Sequence, residues 1–470
     1  MKKRLICLLI VISTIFTLTS CFRSEKKYDY EDMSKYIILP DYKSQVYEID
    51  MNEIQRAIDS YIMQYSSEYT VQRGNRVNVD IKFFEVTVSS GDDGIFELRG
   101  NEITDLSKSN YWIDNVATPI DGSSYQISSK IENMIIGAKL SSTIPEQKFT
   151  LNDDFFNESS FFDEKYRGKD VFVEVIVNNV SCEPGFVVST SYTGYYIDEN
   201  GSIIQEDGKD KTFDSNDSAP FYIGSHLAID DVENGMVGMS IGETKDIIAT
   251  FPEDYFEEDF AGKKVMFRLK MNSVYRPQPY NDTFIKTYFP AFKNTADFEE
   301  GLKEKYVLSK IYEYINKNVK ILEYPKSEYR AAEEQLELIT APFAEQKEIS
   351  LDEYIKKVYG MSREEFIKSN MTTEMIFYSL RNQLKNVEPT ESELIAERNL
   401  CIAQYKSDYM SQGMSETAAL NAATDFVDEL GESYVYEIAL FNKIDEALPH
   451  LVSTTTKEKT YTSISEAQVK

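Results

Sequence analysis

The chain has 470 residues and a formal net charge of −29 at pH 7, and such strong acidity disfavours nucleic acid as a partner. With only two histidines and four cysteines, a histidine-rich metal site, a Ser-His-Asp triad and a disulfide framework have few residues to draw on. We therefore expect no metal and no cofactor, and the length predicts roughly two to four domains.

The N-terminal sequence predicts export of the chain and its attachment to a membrane. A basic start at residues 2–4 precedes an apolar run from Leu5 to Leu18, and small residues then lead to Cys21. These are the features of a signal peptide, and the run is too short to favour a permanent membrane span. The pattern resembles a bacterial lipoprotein signal, which implies cleavage of residues 1–20, a lipid on Cys21 and a body anchored to the cell membrane outside the cytoplasm. The alternative is an uncleaved N-terminal anchor.

Residues 21–75 are predicted to hold a charged tether and one amphipathic helix. The helix is predicted over Asp50–Tyr65, and Asp50 and Glu53 have the spacing of a capping box at its start. Its apolar face needs a partner. The apolar positions at helical spacing are Ile54, Ile58, Ile62 and Tyr65.

From Arg76 the hydrophobic period changes to two, which predicts a half-buried strand and the start of a β-domain over residues 76–183. The alternating residues are Val77, Val79, Ile81 and Phe83. Three sequence blocks of this domain return in the same order within residues 184–276. The paired blocks are 131–138 with 232–239, 151–155 with 251–255, and 168–173 with 262–267. We interpret them as an internal duplication, and chance similarity between two β-rich segments is the alternative.

The second copy is the segment that points to a chemistry. Phe213 sets an aromatic ring beside the lone carboxylate of Asp214, in a strand-rich segment with glycine turns, and such a pocket could hold a proline ring. The motifs are Tyr192-Thr193-Gly194, Phe213-Asp214, Glu233–Met239, Phe251–Tyr255 and Ala261–Phe267. The arrangement resembles the FKBP-type prolyl isomerase domain of the trigger factor family.

This resemblance implies an α+β fold with two FKBP-like antiparallel β-domains and a substrate pocket in the second. Asp214 would be its polar wall residue, and the N–H of Ile229 would receive the substrate carbonyl. The implied catalytic residues are Tyr192, Phe213, Asp214, Ile229, Tyr255 and Phe267, and the implied substrate-binding residues are Phe221 and Val232.

The floor of this pocket departs from the family pattern. The family has an Ile-Pro-Gly-aromatic-Glu run there, whereas this chain has two aspartates followed by Val232. The first copy departs further, because it lacks a Phe-Asp pair and has Ile131 at the floor position. Its Trp112 has no counterpart in the second copy. We predict that the first copy is non-catalytic and acts either as a binding domain or as a spacer.

Beyond Pro279 the pattern predicts a helical domain over residues 277–452, followed by a polar, disordered tail over 453–470. An apolar stripe ends just before Pro325, where proline would break the helix. Capping boxes open further helices, and the last helix is predicted from Val435 to Leu448. The stripe is Leu308, Ile311, Ile315, Val319 and Leu322, and the capping boxes are Ser350/Glu353, Ser362/Glu365 and Thr390/Glu393.

The helices over residues 326–412 resemble the C-terminal chaperone arms of the trigger factor family, notably at 349–354 and 361–366. This implies apolar side chains left exposed to hold unfolded segments. The alternative for each is the core of a plain helix bundle. The side chains concerned are Met361, Met371, Met375, Phe377, Tyr378, Met410 and Met414.

Three function hypotheses follow. The first is a membrane-anchored peptidyl-prolyl cis-trans isomerase with chaperone activity, whose partners are unfolded or proline-containing polypeptides. No Gly-Phe-Arg-x-Gly-Lys loop occurs in the chain, so the ribosome is not expected as a partner. The second is a non-catalytic holdase that uses FKBP-like domains as scaffolds. The third, a solute-binding lipoprotein, is disfavoured because the chain lacks a two-lobed βαβ alternation.

Overall fold

The computed structural model describes residues 32–462 and 464, except for 92, 93, 254, 256, 385 and 386. The predicted signal peptide and Cys21 lie outside the described residues. The chain divides into two compact units. The β unit comprises the described residues of Asp50–Glu300 and Glu458–Lys470, and the helical unit comprises those of Met1–Ile49 and Gly301–Lys457. The predicted mixed α+β class is confirmed, whereas the predicted domain boundaries stay predictions.

The described chain is rich in strands up to Arg276 and mainly helical from Asp282 onward. The strands are β1 (Ile37–Ile38), β2 (Val46–Asp50), β3 (Ser67–Glu68), β4 (Val77–Gly91), β5 (Gly94–Glu102), β6 (Lys108–Ile113), β7 (Ser142–Thr150), β8 (Asp170–Val180), β9 (Val187–Tyr196), β10 (Gln205–Glu206), β11 (Lys209–Asp210), β12 (Thr212–Tyr222), β13 (Thr244–Thr250), β14 (Lys264–Arg276), β15 (Lys320–Ile321) and β16 (Ser453–Lys457). The α-helices are α1 (Met51–Gln64), α2 (Ser129–Ile135), α3 (Asp153–Glu158), α4 (Asp230–Met236), α5 (Asp282–Tyr288), α6 (Thr295–Asn318), α7 (Lys326–Gln346), α8 (Leu351–Tyr359), α9 (Arg363–Gln383), α10 (Glu391–Ser411), α11 (Glu416–Leu430) and α12 (Glu432–Ala447).

Two antiparallel sheets with the same strand order form the β unit. The first runs β5-β4-β8-β7 with β6 beside β4, and the second runs β12-β9-β14-β13 with β3 beside β14. One short helix precedes the edge strand in each case, α2 before β7 and α4 before β13. In β4, Val77, Val79, Ile81 and Phe83 are fully buried, which confirms the predicted strand. The shared topology supports the interpretation of an internal duplication.

A pair of backbone contacts also repeats. The N–H of Gly137, after α2, donates to the carbonyl of Val71 at 2.8 Å. The N–H of Gly238, after α4, donates to the carbonyl of Cys182 at 2.8 Å. Both glycines have positive φ, 83° and 84°, which explains why glycine recurs at the end of each block. The chain entering each sheet is therefore held in the same way.

The buried residues of the two sheets form one continuous hydrophobic cluster. Cys182 lies in that cluster, between β8 and β9, and it is completely buried. The predicted boundary between residues 183 and 184 therefore does not separate two hydrophobic cores. The reason is the short connection from β8 to β9, which leaves no room for an exposed linker.

The predicted first helix is confirmed, but its cap differs from the expected capping box. The Asp50 side chain accepts the N–H of Asn52 at 2.9 Å. The carboxylate of Glu53 pairs instead with Arg56, which lies one turn along the helix. The buried apolar positions of α1 are Ile54, Ile58 and Ile62.

The apolar stripe of the helical unit is shorter than predicted. Helix α6 ends at Asn318, and Ile311 and Ile315 are fully buried on it. The stripe was expected to continue to Leu322, but the chain instead forms strand β15, which pairs with β1. Leu322 is exposed. The local pattern could not reveal the competing strand partner, which lies almost 300 residues away in sequence.

Two of the three predicted capping boxes are complete. Ser362 and Thr390 each accept the N–H of the glutamate three residues on, and that glutamate reaches back to the cap N–H. At the third, Ser350 accepts the N–H of Glu353 at 3.2 Å, but the Glu353 carboxylate pairs with Lys357. Helix α12 begins at Glu432 and ends at Ala447, close to the predicted last helix.

Most of the apolar residues that were expected to face clients lie in the helical core. Met371, Met375, Phe377 and Tyr378 are buried on α9. Met361 is half-buried, and Met410 and Met414 are exposed at the end of α10 and after it. For the four buried residues the alternative of a helix-bundle core therefore holds, because α9 packs against α7, α8 and α12.

The polar segment after Val452 begins with a strand, not with the predicted disorder. Strand β16 pairs with β2 near the start of the described chain. Beyond it, the N–H of Thr460 donates to Oδ1 of Asn52 at 3.0 Å. A partner strand and a buried amide acceptor can order a polar segment that has no hydrophobic pattern of its own.

Candidate active site

The eight implied site residues lie on neighbouring elements of the second sheet. Tyr192 is on β9, Phe213, Asp214 and Phe221 are on β12, and Phe267 is on β14. Ile229 and Val232 belong to the start of α4, and Tyr255 follows β13. All except Val232 are half-buried, so each leaves part of its surface accessible to solvent.

A hydrogen bond joins the two polar members of this set. The hydroxyl of Tyr192 donates to Oδ2 of Asp214 at 2.7 Å, across the β9–β12 pair. The other carboxylate oxygen accepts the N–H of Ser215 at 2.9 Å. Burial raises the pKa of Tyr192, and its bond to Asp214 raises the pKa further. The tyrosine is therefore a neutral donor at physiological pH, and it fixes the carboxylate at one wall.

Phe213 is at the centre of an aromatic cluster. Its ring centroid lies 5.6 Å from that of Phe267 and 5.2 Å from that of Phe260, with edge-to-face or tilted geometry. Such arrangements stabilise aromatic pairs beyond the area they bury. Phe251 and Tyr196 complete the cluster, at 6.3 and 5.3 Å from Phe213.

Gly194 makes room for the Phe213 ring. A Cβ at residue 194 would lie 2.5 Å from Cζ of Phe213, which is closer than real Cβ contacts. The backbone of β9 therefore passes directly against the aromatic ring. Phe260 and Tyr196 were not among the predicted site residues, although the block containing Phe251 and the motif containing Gly194 had been noted.

Two further aromatics extend the accessible surface. The ring of Tyr192 meets those of Phe221 and Phe267 edge-on, at 6.4 and 5.8 Å. Tyr255 packs against Phe251 at 4.6 Å, and burial raises its pKa, with smaller contributions from the charges of Glu257 and Asp214. Together these rings continue the apolar wall on both sides of Phe213.

Ile229 is the N-cap residue of α4. Its carbonyl accepts the N–H of Val232 at 2.9 Å. Its own N–H has no acceptor within the part of the chain that the structure describes. A helix N-terminus leaves such donors for an external acceptor.

Val232, the residue that the resemblance places at the pocket floor, is 4% exposed. It belongs to the shared core cluster together with Met236 and Ile247. Ile247 leans over α4, because a Cβ on Gly235 would lie 2.6 Å from its Cδ1 atom. Val232 is therefore part of the apolar core, and Ile247 packs closely against the helix that contains it.

The two aspartates before Val232 are tied to neighbouring segments. Oδ1 of Asp230 lies 2.6 Å from Nδ1 of His226, and Oδ2 of Asp231 accepts the N–H of Thr250 at 3.0 Å. Both carboxylates therefore hold the start of α4 in place as well as adding charge to the rim.

A buried glutamate that was not predicted organises the loop before α4. Glu233 accepts the N–H groups of Gly224, His226 and Ala228 at 2.9 to 3.2 Å. Burial raises its pKa, and the three backbone hydrogen bonds oppose that rise. In the first sheet, Glu132 accepts the N–H groups of Ala117 and Ile127 at 2.9 Å each. The repeated Ile/Val-Glu-Asn block was the signal that could have revealed this role.

The first sheet has no equivalent aromatic site. Strand pairing places Phe83 opposite Val173 and Gly194 opposite Phe267, so Phe83 occupies the position of Gly194. By the same register Ile81 stands where the second sheet has Tyr192. Phe83 is fully buried, with the rings of Phe161 and Phe162 about it at 6.1 and 6.0 Å. In the first sheet the Phe83 side chain thus takes the space that Gly194 leaves for the Phe213 ring in the second sheet.

Residues 179–272 match the FKBP-type peptidyl-prolyl cis-trans isomerase family. We call them the FKBP-type region. They include β9 to β13, most of β14 and all eight implied site residues. The family match thus falls on the sheet with the open aromatic cluster.

Curated relatives of the chain are trigger factors. That of Mycoplasmoides gallisepticum is 28% identical over 206 residues, which cover 40% of this chain and 42% of the relative. That of Carboxydothermus hydrogenoformans is 39% identical over 98 residues, or 20% of this chain and 23% of the relative. The chain spans less than half the length of these two relatives. Their similarity and the FKBP-type region support a trigger factor-like protein.

A solved structure on promiscuous substrate recognition in folding and assembly by the Trigger Factor chaperone is also similar. It is 17% identical, covers 57% of this chain and 62% of that chain, and has a TM-score of 0.17. A superposition this loose supports no argument about function.

The described residues also bear on a membrane span and on a metal site. Of the helices they form, none is both long and apolar enough to cross a membrane. Within the same residues there is no group of three or more histidine, cysteine, aspartate or glutamate side chains that could hold a metal ion. Cys182 and Cys401 are both buried free thiols.

Proposed function

We propose that the protein is a membrane-anchored folding factor outside the cytoplasm, with peptidyl-prolyl cis-trans isomerase and chaperone activity. The observation that carries the isomerase activity is the half-buried aromatic cluster with the Tyr192–Asp214 hydrogen bond, inside the FKBP-type region. Its partners would be proline-containing or unfolded polypeptides, and neither the ribosome nor nucleic acid.

The chemistry needs no nucleophile, metal or cofactor. Rotation about an X-Pro bond has a barrier of about 18–20 kcal/mol and breaks no covalent bond. Apolar walls that exclude water favour the twisted amide, which has lost resonance and charge separation. The rings of Phe213, Phe267 and Tyr192 would hold the prolyl ring, and the Ile229 N–H would receive the substrate carbonyl. Asp214 would fix Tyr192 and supply a polar edge.

A proline-limited peptide isomerisation assay with the full chain tests this activity. Phe213→Ala removes the central ring, and Asp214→Ala removes the acceptor of Tyr192. We expect each to lower kcat/KM by about 10-fold or more, equivalent to about 1.4 kcal/mol of transition-state stabilisation. Trp112→Ala, in the first sheet, should leave the rate unchanged. A folded wild-type chain that gives no acceleration over buffer would exclude the isomerase function.

The chaperone activity rests on apolar side chains of the helical unit that remain exposed. Ile395, Leu400 and Met410 on α10, Met414 after it and Leu420 on α11 are each more than 40% exposed. Exposed apolar residues on neighbouring helices can hold unfolded segments. Replacing Leu400 and Leu420 with serine should weaken suppression of client aggregation, while the surface pair Ser392→Ala and Thr424→Ala should not.

A non-catalytic holdase is the second candidate. The buried Val232, with aliphatic neighbours in place of an aromatic floor, favours it. In that case the FKBP-type region is a scaffold. Aggregation of an unfolded client would then be suppressed equally well by the wild-type chain and by Phe213→Ala, and neither would accelerate isomerisation.

The membrane anchor is supported by the sequence alone, through the basic start, the apolar run and Cys21. Cys21→Ser should move the protein from the membrane fraction to the soluble fraction of its host cell. Mass spectrometry of the mature N-terminus should find a lipid on Cys21. Recovery of an unmodified N-terminus beginning at Met1 would contradict the proposal.

A further inference from the structure

A second cleft lies in the first sheet, outside the FKBP-type region. It has a volume of about 580 Å³. Its walls come from β6, from the loop before α2 and from the end of α3 with the segment that follows. Its lining includes Tyr111, Gln126, Phe156, Asn157, Glu158 and Phe161.

The cleft occupies the position in the first copy that the candidate active site occupies in the second. Strand β6 pairs with β4 as the end of β12 pairs with β9. The loop before α2 corresponds to the loop before α4, which contains Ile229. The segment after β7 corresponds to the one after β13, which contains Tyr255. The duplication has therefore placed an accessible surface at the same location twice.

Apart from Glu158 the lining is uncharged, and it mixes aromatic surface with amides and hydroxyls. Tyr111, Phe156 and Phe161 are half-buried, and Asn157 is exposed. None of the lining residues is basic. The charged Glu158 already forms hydrogen bonds within the protein, because one of its oxygens accepts both the N–H and the hydroxyl of Ser129. Such a surface suits a neutral ligand with its own amide groups and an apolar side chain, and it disfavours phosphates.

We propose that this cleft binds a neutral, extended polypeptide segment without isomerising it. The ligand class rests in part on the proposed function, since a folding factor meets polypeptide chains. Binding without catalysis follows from the interior of the first sheet. Phe83 fills the space beside β4, and Ile81 provides no counterpart to the Tyr192 hydroxyl. Two binding sites on one chain would raise the effective concentration of a client at the active site.

The chain carries its own reporter for this cleft. Trp112 is its only tryptophan, and it follows the lining residue Tyr111. The carbonyl of Trp112 accepts Nε2 of Gln126 at 2.7 Å, so its backbone is tied to the cleft wall. The Arg76 guanidinium lies over the indole at 4.6 Å. Ligand binding at the cleft should therefore change tryptophan emission, whereas binding in the FKBP-type region should not.

The test is a fluorescence titration of the full chain. The probe is a peptide of glycine, serine and asparagine with one central phenylalanine and no proline, tyrosine or tryptophan. We expect a saturable change in Trp112 emission. Asn157→Arg puts a long charged side chain at the mouth, and it should weaken binding about 10-fold, or 1.4 kcal/mol. The matched control is Asn101→Arg, which adds the same charge at an exposed position on β5.

The outcome is separable from that of the isomerase assay. Phe213→Ala should lose isomerase activity yet keep the Trp112 titration, and Asn157→Arg should show the reverse. Absence of any emission change at millimolar peptide would overturn this inference. So would equal affinity in the wild-type chain and in Asn157→Arg, whatever the isomerase assay shows.

Discussion

At the scale of single residues, position 194 separates the two copies of the sheet. The second copy has a glycine there, and the first has Phe83. The glycine lets the Phe213 ring lie against the β9 backbone, where the ring stays half-buried. In the first copy the Phe83 side chain itself is fully buried in the core. One exchange of a small for a large side chain thus decides whether an aromatic ring can lie against the strand backbone at this position.

We predict that Gly194→Ala displaces Phe213. The added Cβ would stand 2.5 Å from the ring, so the ring or the strand must move. Overpacking of this kind costs about 1–3 kcal/mol of the free energy of unfolding. Urea denaturation measures that loss, and the isomerase rate should fall with it. Thr193→Ala, next to it on β9, is the control and should change neither value. An unaltered rate in Gly194→Ala would show that the Phe213 position does not matter for activity.

Asp445 on α12 should make the stability of the protein depend on pH. Burial raises the pKa of its carboxyl to about 7, while the hydroxyl of Tyr312, 2.7 Å away, opposes the rise. In the unfolded chain the pKa of an aspartate is about 3.9. Between these values the folded state holds a proton that the unfolded state has released. The free energy of unfolding should therefore fall as pH rises from about 4 to about 7.

Asp445→Asn keeps an acceptor for Tyr312 and removes the titration. Its advantage over the wild-type chain should grow between pH 5.5 and pH 8, by roughly 1–3 kcal/mol. Urea denaturation at both pH values measures the difference. Glu429→Gln, at an exposed position on α11, removes a charge and leaves Asp445 and its neighbour Glu446 in place, and it is the control. Parallel stability curves for the wild-type chain and Asp445→Asn would contradict the assignment.

At the scale of elements, the loop before α4 depends on one buried carboxylate. Glu233 holds three backbone N–H groups of that loop, which ends at Ile229. We predict that Glu233→Ala destabilises the chain by about 2–4 kcal/mol, because it leaves buried donors without an acceptor. Thermal unfolding measures this loss. The control is Glu243→Ala, since Glu243 accepts a single exposed N–H, that of Ser240. A change no larger than that of the control would exclude the organising role of Glu233.

The elements also show which features were readable from the sequence. The caps at Ser362 and Thr390 were predicted because both partners lie three residues apart. The alternation in β4 was readable because one face of the strand is buried. The equivalence of Phe83 and Gly194 was not, because it depends on which residues pair across strands far apart in sequence. The same reason hides the partners of Glu233 and the end of α6.

At the scale of the whole molecule, the C-terminal segment takes part in both compact units. Strand β16 belongs to the helical unit, and residues 458–462 and 464 belong to the β unit. There Lys459 donates to Oε1 of Gln55 at 3.2 Å, and Thr460 donates to Asn52. The predicted disordered tail would have no such contribution.

Truncation after Val452 should therefore destabilise the protein. The loss of a strand pair and of the contacts with α1 should cost about 2–4 kcal/mol. Thermal unfolding measures the total, and hydrogen exchange at β2 and α1 separates the two parts. Thr460→Pro removes only one of the N–H donors, so it should expose α1 and leave β2 protected. A truncated chain with the same unfolding temperature as the full chain would show that the segment contributes nothing.

The pairing of β2 with β16 also sets the order in which the two units can fold during synthesis. These strands lie about 400 residues apart in the sequence, so their contact cannot form until the last segment has been synthesised and delivered. The two sheets draw on one continuous stretch, and they can collapse while the rest of the chain is still emerging. The helical unit cannot complete its strand pairing at that stage, because β2 has been synthesised and its partner β16 has not. The β unit, with the proposed isomerase site, would thus fold before the helical unit, with the proposed holdase surface. During synthesis the helices would pass through a stage in which their apolar faces are exposed to solvent.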